Sequence, residues 1–340
     1  MTRLLRWVFW AAILGSVAFV AWSHRDALGR SIMLLPRAHL PWLLLAVACI
    51  GLLYLCRAIV YGIPLRLLDY TVPWTFLWQA AIIASAVTQL FPSGGASAYA
   101  FLAYALHRRG VPTGQASLIA IIDTLSYACA AATLVIGALV YLGLGGGLPG
   151  KVLLLGFAPG SLLVVLGGGV YWLQRERRRF IPLAVKLARR IGSMFGRDGV
   201  EAPVRAFLED YYQGKEVIAR RPSVFARMVA LQYLAVGADA GALYLTFVSL
   251  GLRLEPALVF LGFVVTLAAG AVVNAPAGGG SYEVVMSAFF ARQGVDVSQA
   301  IAGALLFRVV SFWIPVLISG LLVLNFRRHT REIRRRRRSA

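Results

Sequence analysis

The sequence predicts an all-α polytopic membrane protein with about six full spans, two re-entrant helical hairpins and an inverted-topology internal repeat. Three observations lead to this prediction: long apolar runs, two glycine-rich breaks with short segments behind them, and basic blocks between the runs. Of the 340 residues, 59% are hydrophobic, and the mean hydropathy is +0.75. A soluble domain of this length has too little interior to cover so much apolar surface, whereas spans expose it to lipid.

Ten apolar segments follow one another along the chain. We expect them to be helical, because lipid offers no partners for backbone N–H and C=O groups and a helix pairs these groups internally. Two of them have only about ten residues, too few to cross a bilayer at 1.5 Å per residue. Each of these two is therefore predicted to be the second arm of a hairpin. The segments are roughly 5–22, 41–61, 74–91, 97–106, 116–141, 152–173, 224–250, 256–275, 281–291 and 300–325.

The two breaks belong to a duplicated stretch. Residues 92–116 and 276–300 align without a gap at a constant offset of 184 residues, Pro92 to Pro276. Agreement at both ends of the stretch indicates duplication, with repeat one at about 1–141 and repeat two at about 152–325. The further identical pairs are Gly94/Gly278, Gly95/Gly279, Ser97/Ser281, Arg108/Arg292, Gly110/Gly294, Val111/Val295, Gln115/Gln299 and Ala116/Ala300.

Basic residues predict the orientation. Arg3, Arg66, the block 175–179 and the arginine tail 327–340 all fall on the cytoplasmic side if the hairpins enter from opposite faces. The chain is therefore predicted to be a multi-pass protein of the bacterial inner membrane, with both termini cytoplasmic and a transmembrane domain over 1–326. The net charge of +20 is interpreted as contact with anionic lipid headgroups at the tail, and not with nucleic acid.

A polar connector, 174–223, joins the repeats. Its apolar residues recur at helical spacing, which predicts amphipathic helices in the cytoplasmic interface. A lipid-sensing role is the alternative to a plain connector. The first face contains Phe180, Leu183, Leu187 and Ile191, and the second contains Val204, Phe207, Leu208 and Tyr211.

The glycine-rich tips are the first candidate for a binding site. Glycine lets the backbone turn tightly and lets another group approach it closely. Helices that start just behind the tips direct free N–H groups at a bound phosphate or carboxylate. In the alternative interpretation, the glycines serve only the packing of the hairpins. The candidate residues are Pro92, Gly94, Gly95 and Ser97 in the first tip, and Pro276, Gly278, Gly279, Gly280 and Ser281 in the second.

Charged residues within the apolar segments are the second candidate, because an ionisable group in a span is costly and marks function by default. Glu283 follows the second tip, and Arg308 is the natural partner for it or for a lipid phosphate. Arg57 is a further binding candidate, unless it only snorkels to the interface. Glu283, Asp123 and Asp239 are proton-relay candidates. A structural ion pair, or hydrogen bonds to a neighbouring helix, would explain the acids without a function.

The sequence contains no zincin motif, no metal-spaced His/Cys cluster and no phosphate loop of the GxxxxGK[ST] kind. We therefore predict no catalytic residues, no metal and no cofactor. The absence of these motifs argues against an ATP-driven protein and against a metal-dependent hydrolase, and it does not exclude a membrane enzyme of another kind.

The segment Leu90–Gly95, the run Pro276–Glu283, Gly294-Val295 and Arg308 resemble the transmembrane domain of lysylphosphatidylglycerol synthases, also known as the flippase-like domain. The resemblance covers about 1–325. It implies a fold that moves a lipid between leaflets, whereas a separate soluble domain makes the aminoacylated lipid. We expect no such domain behind the arginine tail, and we therefore predict that the protein is not an enzyme. The first repeat departs from the motif, since Tyr99 stands where the second repeat has Glu283.

These observations together predict a flippase that moves a phospholipid or lipid-linked intermediate past a site between the two hairpin tips. Two alternatives remain open: a membrane subunit or enzyme that acts on lipid headgroups with a lipid-modifying partner, and a membrane scaffold without transport.

Overall fold

The computed structural model describes residues 38–90, 96–144, 177–194, 201–273 and 281–323. These residues form two compact units. The first unit contains those within Tyr54–Val87 and Gly95–Ala235, and the second contains those within Met1–Leu53, Thr88–Gly94 and Val236–Ala340.

All regular secondary structure in the described ranges is helical, which confirms the all-α prediction. The last described helix begins at Val297 and continues past Arg308 through a π-helical turn, Val309–Trp313, to Val323. The helices are α1 Leu40–Leu67, α2 Trp74–Leu90, α3 Ala96–His107, α4 Thr113–Leu144, α5 Arg177–Met194, α6 Glu201–Ala219, α7 Pro222–Ser249, α8 Pro256–Val273, α9 Ser281–Arg292 and α10 Val297–Arg308.

Four of the described helices are long and apolar enough to cross a membrane: Leu40–Leu67, Thr113–Tyr141, Pro222–Ser249 and Val297–Val323. Helices α3 and α9 have 12 residues each. At 1.5 Å per residue they are about 18 Å long, well short of a hydrocarbon core of about 30 Å. The re-entrant path, the total of six spans and the inverted topology stay predictions, because the segments 5–22 and 152–173 and the hairpin tips lie outside the described residues.

The duplicated stretch has the same local conformation in both copies. Gly110 follows α3 with φ 90°, and Gly294 follows α9 with φ 87°. The next residue in each copy donates its N–H to a carbonyl five residues back: Val111 to Leu106 over 3.3 Å, and Val295 to Phe290 over 3.1 Å. This is the Schellman ending of a helix, which favours glycine because a Cβ is strained at positive φ. The next helix then begins at Thr113 in one copy and at Val297 in the other.

Glycines allow close packing in the first unit, where α4 packs against both α3 and α6. A Cβ on Gly114 would lie 2.7 Å from the Tyr211 backbone nitrogen, and a Cβ on Gly214 would lie 2.9 Å from a Leu118 methyl group. Leu208 and Tyr211 are buried here. Two of the four residues of the second amphipathic face of the connector are therefore covered by protein, whereas Val204 and Phe207 are half-buried. The location of this face in the cytoplasmic interface stays a prediction.

The other connector helix, α5, packs on α6 and leaves Leu183 and Leu187 exposed, as an interfacial face would.

In the second unit, α9 packs between α8 and α10. Gly262 of α8 makes room for Phe290 of α9, since a Cβ would lie 2.7 Å from the Phe290 ring. Gly303 of α10 makes room for Phe247 of α7 in the same way. The two phenylalanine rings meet edge to face, with their centroids 4.6 Å apart. Aromatic rings that fit against glycine backbone thus fix α9 and α10, the two helices that contribute the charged residues of this unit.

Candidate functional site

An ion pair joins α9 and α10 within the second unit. Glu283 lies in the first turn of α9, and Arg308 is the last residue of α10. The Arg308 Nε atom is 3.0 Å from the Glu283 Oε1 atom, and the two side chains are only 11% and 23% exposed, respectively. The structure therefore brings together the two residues that the sequence suggests as partners, and their role in binding a substrate stays a prediction.

Aromatic rings surround the Arg308 guanidinium. Its Cζ atom lies 4.4 Å from the centroid of the Phe312 ring and 5.4 Å from that of the Tyr282 ring. The Tyr282 ring in turn stacks on Phe307, with 6.4 Å between centroids. Cation–π contacts of this kind stabilise an arginine away from water, most strongly where the contact is desolvated. The π-helical turn begins directly after Arg308, and such turns are frequent at functional sites.

The second carboxylate oxygen of Glu283 does not take part in the ion pair. Among the described residues, no donor lies within hydrogen-bond distance of the buried Oε2 atom. A carboxylate accepts several hydrogen bonds, and leaving a buried acceptor unpaired has a free-energy cost. The site can therefore accept a further donor, such as a hydroxyl, an ammonium or water.

A second polar cluster lies within the first unit, on α1, α2, α4 and α7. Arg57 Nη1 donates to the Ser85 hydroxyl over 2.6 Å, and its Cζ atom lies 5.6 Å from the centroid of the Tyr127 ring. The Asp123 carboxylate is within electrostatic range of the Arg57 charge. Gln232 donates to Asp123 Oδ1 over 3.0 Å. Arg57 and Asp123 thus belong to one network, and this network has the composition of a polar site in an apolar surrounding.

Gln232, Ser85, Tyr127, Tyr282 and Phe312 take part in these two sites without having been predicted from the sequence. Gln232 is 1% exposed, and its Oε1 atom has no hydrogen-bond partner among the described residues. The signal for Gln232 was present, because a glutamine in the middle of an apolar run is as unusual as the aspartate at 239. No sequence signal marks the aromatic residues, which look like any other apolar position.

The remaining predicted site residues are placed as follows. Ser97 lies in the first turn of α3 and is half-buried, and α9 begins at Ser281. Asp239 lies within α7 in the second unit and is half-buried. The tip residues Pro92, Gly94, Gly95, Pro276, Gly278, Gly279 and Gly280 lie outside the described residues, so the phosphate-binding interpretation of the tips stays a prediction.

Within the ranges that the structure describes, no group of three or more His, Cys, Asp or Glu side chains is placed to hold a metal ion. The predictions of no cofactor and no enzymatic activity stay predictions.

Long apolar helices that carry a largely buried ion pair define the class: this is a helical membrane protein. Residues 9–319 match the family described as the lysylphosphatidylglycerol synthase TM region, so the chain belongs to that family. It is also similar to the UPF0104 membrane protein PH1989 of Pyrococcus horikoshii, at 34% identity over 125 residues. That alignment covers 37% of this chain and 36% of the relative's length.

Proposed function

We propose that the protein moves a lipid or a lipid-linked intermediate between the leaflets of the membrane, and that the headgroup binds at Glu283 and Arg308. The observation that supports this most is the ion pair itself, since its two side chains are only 11% and 23% exposed on helices of an apolar protein. Membership of the lysylphosphatidylglycerol synthase TM region family agrees with a lipid substrate.

The energetics of the pair favour a functional role over a purely structural one. Apolar residues of similar volume stabilise a protein interior as well as a buried ion pair does, or better. Ionisable residues inside membrane segments are rare for this reason, and they usually mark a substrate or ion pathway. A pair that served only packing could be replaced by two apolar side chains without loss.

The chemistry of the pair suits a phosphate-bearing headgroup. The guanidinium of an arginine presents five N–H donors in a planar fork that matches phosphate oxygens. One of these donors, on Nε, faces Glu283. An arriving phosphate competes with the carboxylate for the guanidinium, and Glu283 Oε2 then accepts a donor from the headgroup. Where the headgroup also carries an ammonium, this exchange leaves both charges paired, the phosphate with Arg308 and the ammonium with Glu283, while the headgroup is away from water.

The test measures leaflet exchange of fluorescent anionic, zwitterionic and aminoacylated lipids in liposomes that contain the purified protein. We expect faster exchange of at least one lipid class with the wild-type protein, and a loss of this activity in Glu283→Gln and Arg308→Met. A matched control exists on α5 and α6: Arg189 Nε and Glu201 Oε1 are also 3.0 Å apart, but their side chains are 76% and 46% exposed. Glu201→Gln should leave exchange unchanged.

Two outcomes would contradict the proposal. Folded wild-type protein that accelerates no lipid under any imposed gradient would favour a scaffold, or a subunit of a lipid-modifying enzyme. Sensitivity to the Arg189–Glu201 pair, together with tolerance of the Glu283 and Arg308 variants, would point to the connector and a partner enzyme.

A further inference from the structure

A small pocket lies in the first unit where α1 ends and α2 begins. Its volume is about 200 Å³, and its lining includes Gly62, Leu65, Arg66, Tyr70 and Trp74. We call it the α1–α2 pocket. Small-molecule sites usually measure about 300 to 1,000 Å³, so this pocket has room for a headgroup fragment and not for a whole lipid.

The polar side of the pocket is basic. Arg66 is exposed in the last turn of α1, and its Cζ atom lies 5.6 Å from the centroid of the Trp74 ring. This cation–π contact limits the motion of the guanidinium, whose N–H donors suit a phosphate. Burial, and secondly the charge of Asp210, raises the pKa of Tyr70. A phenol is protonated at neutral pH even at its ordinary pKa of about 10, so Tyr70 can donate a hydrogen bond.

The other side of the pocket is apolar. Leu65 and Leu77 are 1% and 3% exposed and form a closed wall. Trp74 lines the pocket and is 42% exposed, and Trp78, one turn further along α2 and outside the lining, is 40% exposed. Exposed tryptophans at the end of a membrane helix are typical of the headgroup level of a bilayer, where the ring contacts both chains and water. The pocket therefore combines a cation with an amphipathic rim.

From this arrangement we infer that the α1–α2 pocket binds the phosphate of an anionic phospholipid, with Arg66 on the phosphate and the two tryptophans beside the glycerol and the first carbons of the chains. This site is separate from Glu283 and Arg308 and does not depend on lipid transport. A free phosphate ester carries the same anion, but it would leave the exposed tryptophans without a role. The occupant that uses both the arginine and the tryptophans is therefore the lipid.

The test is photo-crosslinking in mixed micelles with a phosphatidylglycerol that carries a photoreactive group close to its headgroup, followed by mapping of the labelled peptides. Label is expected within residues 62–78, with competition by unlabelled phosphatidylglycerol and much weaker competition by phosphatidylcholine. Arg66→Ala should weaken the competition by about tenfold, the scale of one charge-assisted hydrogen bond at a partly exposed site. Arg205→Ala, at an exposed arginine of α6 in the same unit, should have no effect.

A second variant, which is expected to bind the lipid more tightly, distinguishes a specific effect on binding from misfolding. Asp210 lies within electrostatic range of Tyr70, so Asp210→Asn removes a negative charge near the pocket and should tighten binding of the anionic lipid. Equal competition by sn-glycerol 3-phosphate would overturn the assignment to a lipid. Label elsewhere in the chain, or unchanged competition in folded Arg66→Ala protein, would overturn the site itself and show that Arg66 only snorkels.

Discussion

The ion pair between Glu283 and Arg308 predicts an asymmetric response to the loss of either partner. Arg308→Met leaves a largely buried carboxylate whose Oε2 atom already has no hydrogen-bond donor among the described residues. Glu283→Gln leaves a guanidinium that still lies over the rings of Phe312 and Tyr282, and the new amide oxygen can accept the same Nε hydrogen. Removal of the arginine should therefore destabilise the protein more than removal of the acid.

The magnitude follows from the burial of the pair. Removal of one partner from a fully buried pair costs about 3 to 5 kcal/mol. Because the Glu283 side chain is 23% exposed, we expect the lower end, about 3 kcal/mol for Arg308→Met. We expect about 1 kcal/mol for Glu283→Gln, since a neutral hydrogen bond replaces a charged one. The double variant buries no unpaired charge and should be more stable than Arg308→Met alone, with a coupling energy of about 1.5 to 3 kcal/mol.

The assay is reversible unfolding in mixed detergent micelles by titration with SDS, followed by circular dichroism, for the four members of the cycle. The exposed pair Arg189–Glu201 supplies the control cycle, in which the coupling should stay below about 1 kcal/mol. Equal, small couplings in both cycles would refute the reasoning, because they would mean that water screens Glu283 and Arg308 as it screens a surface pair.

Four further predictions concern stability. Gly303→Ala should lower the free energy of unfolding by about 1 to 3 kcal/mol, because its Cβ would lie within 2.8 Å of the Phe247 ring. The control Gly320→Ala has open space at its Cβ and should be neutral or stabilising in the same titration. Gly294→Ala should cost about 1 to 2 kcal/mol in that titration, because φ is 87°. Gln232→Leu removes a donor from a carboxylate and should cost about 1 to 3 kcal/mol, again by SDS unfolding. Burial lowers the pKa of Lys215, and the nearby Glu216 opposes this with a smaller effect. Just below pH 10.5 the unfolded state therefore binds more protons than the folded state, so the free energy of unfolding should rise with pH there. The variant Lys215→Met should remove that rise.

Much of the helical architecture could be predicted because hydropathy and glycine act locally. The segments of about ten residues predicted behind the tips correspond to α3 and α9, which have 12 residues each. The glycines that follow them, Gly110 and Gly294, both adopt positive φ. What the amphipathic faces of the connector contact could not be predicted in the same way. An amphipathic face fits lipid or protein equally well, and the packing of α6 on α4 depends on Gly114 and Gly214, which leave room for another backbone and other side chains. Sequence periodicity carries no information about such a fit.

The alignment of the two repeats before the tips could not be predicted from the offset after them. Asp69 ends α1 at φ 61°, and Gly251 ends α7 at φ 82°. In both endings the next residue donates to a carbonyl five positions back, from Tyr70 to Leu65 and from Leu252 to Phe247. The two endings are therefore equivalent, and they lie 182 residues apart, whereas the offset after the tips is 184. A single offset of 184 for the whole repeat therefore misaligns α1 with α7 by two residues at these endings.

With the offset taken from the helix endings, Arg57 on α1 aligns with Asp239 on α7. After the tips, Arg308 aligns with the residue next to Asp123. Corresponding helices thus carry opposite charges: the first repeat has its arginine on the first of the four helices and its acid on the last, and the second repeat has them exchanged. A mechanism in which both repeats bind a phosphate through equivalent arginines does not fit this arrangement. An exchange of partners requires no such equivalence: Arg308 would give up Glu283 for the headgroup, and Arg57 would give up its hydrogen bond to Ser85 near Asp123. It predicts that Arg57→Met and Arg308→Met impair exchange independently of each other.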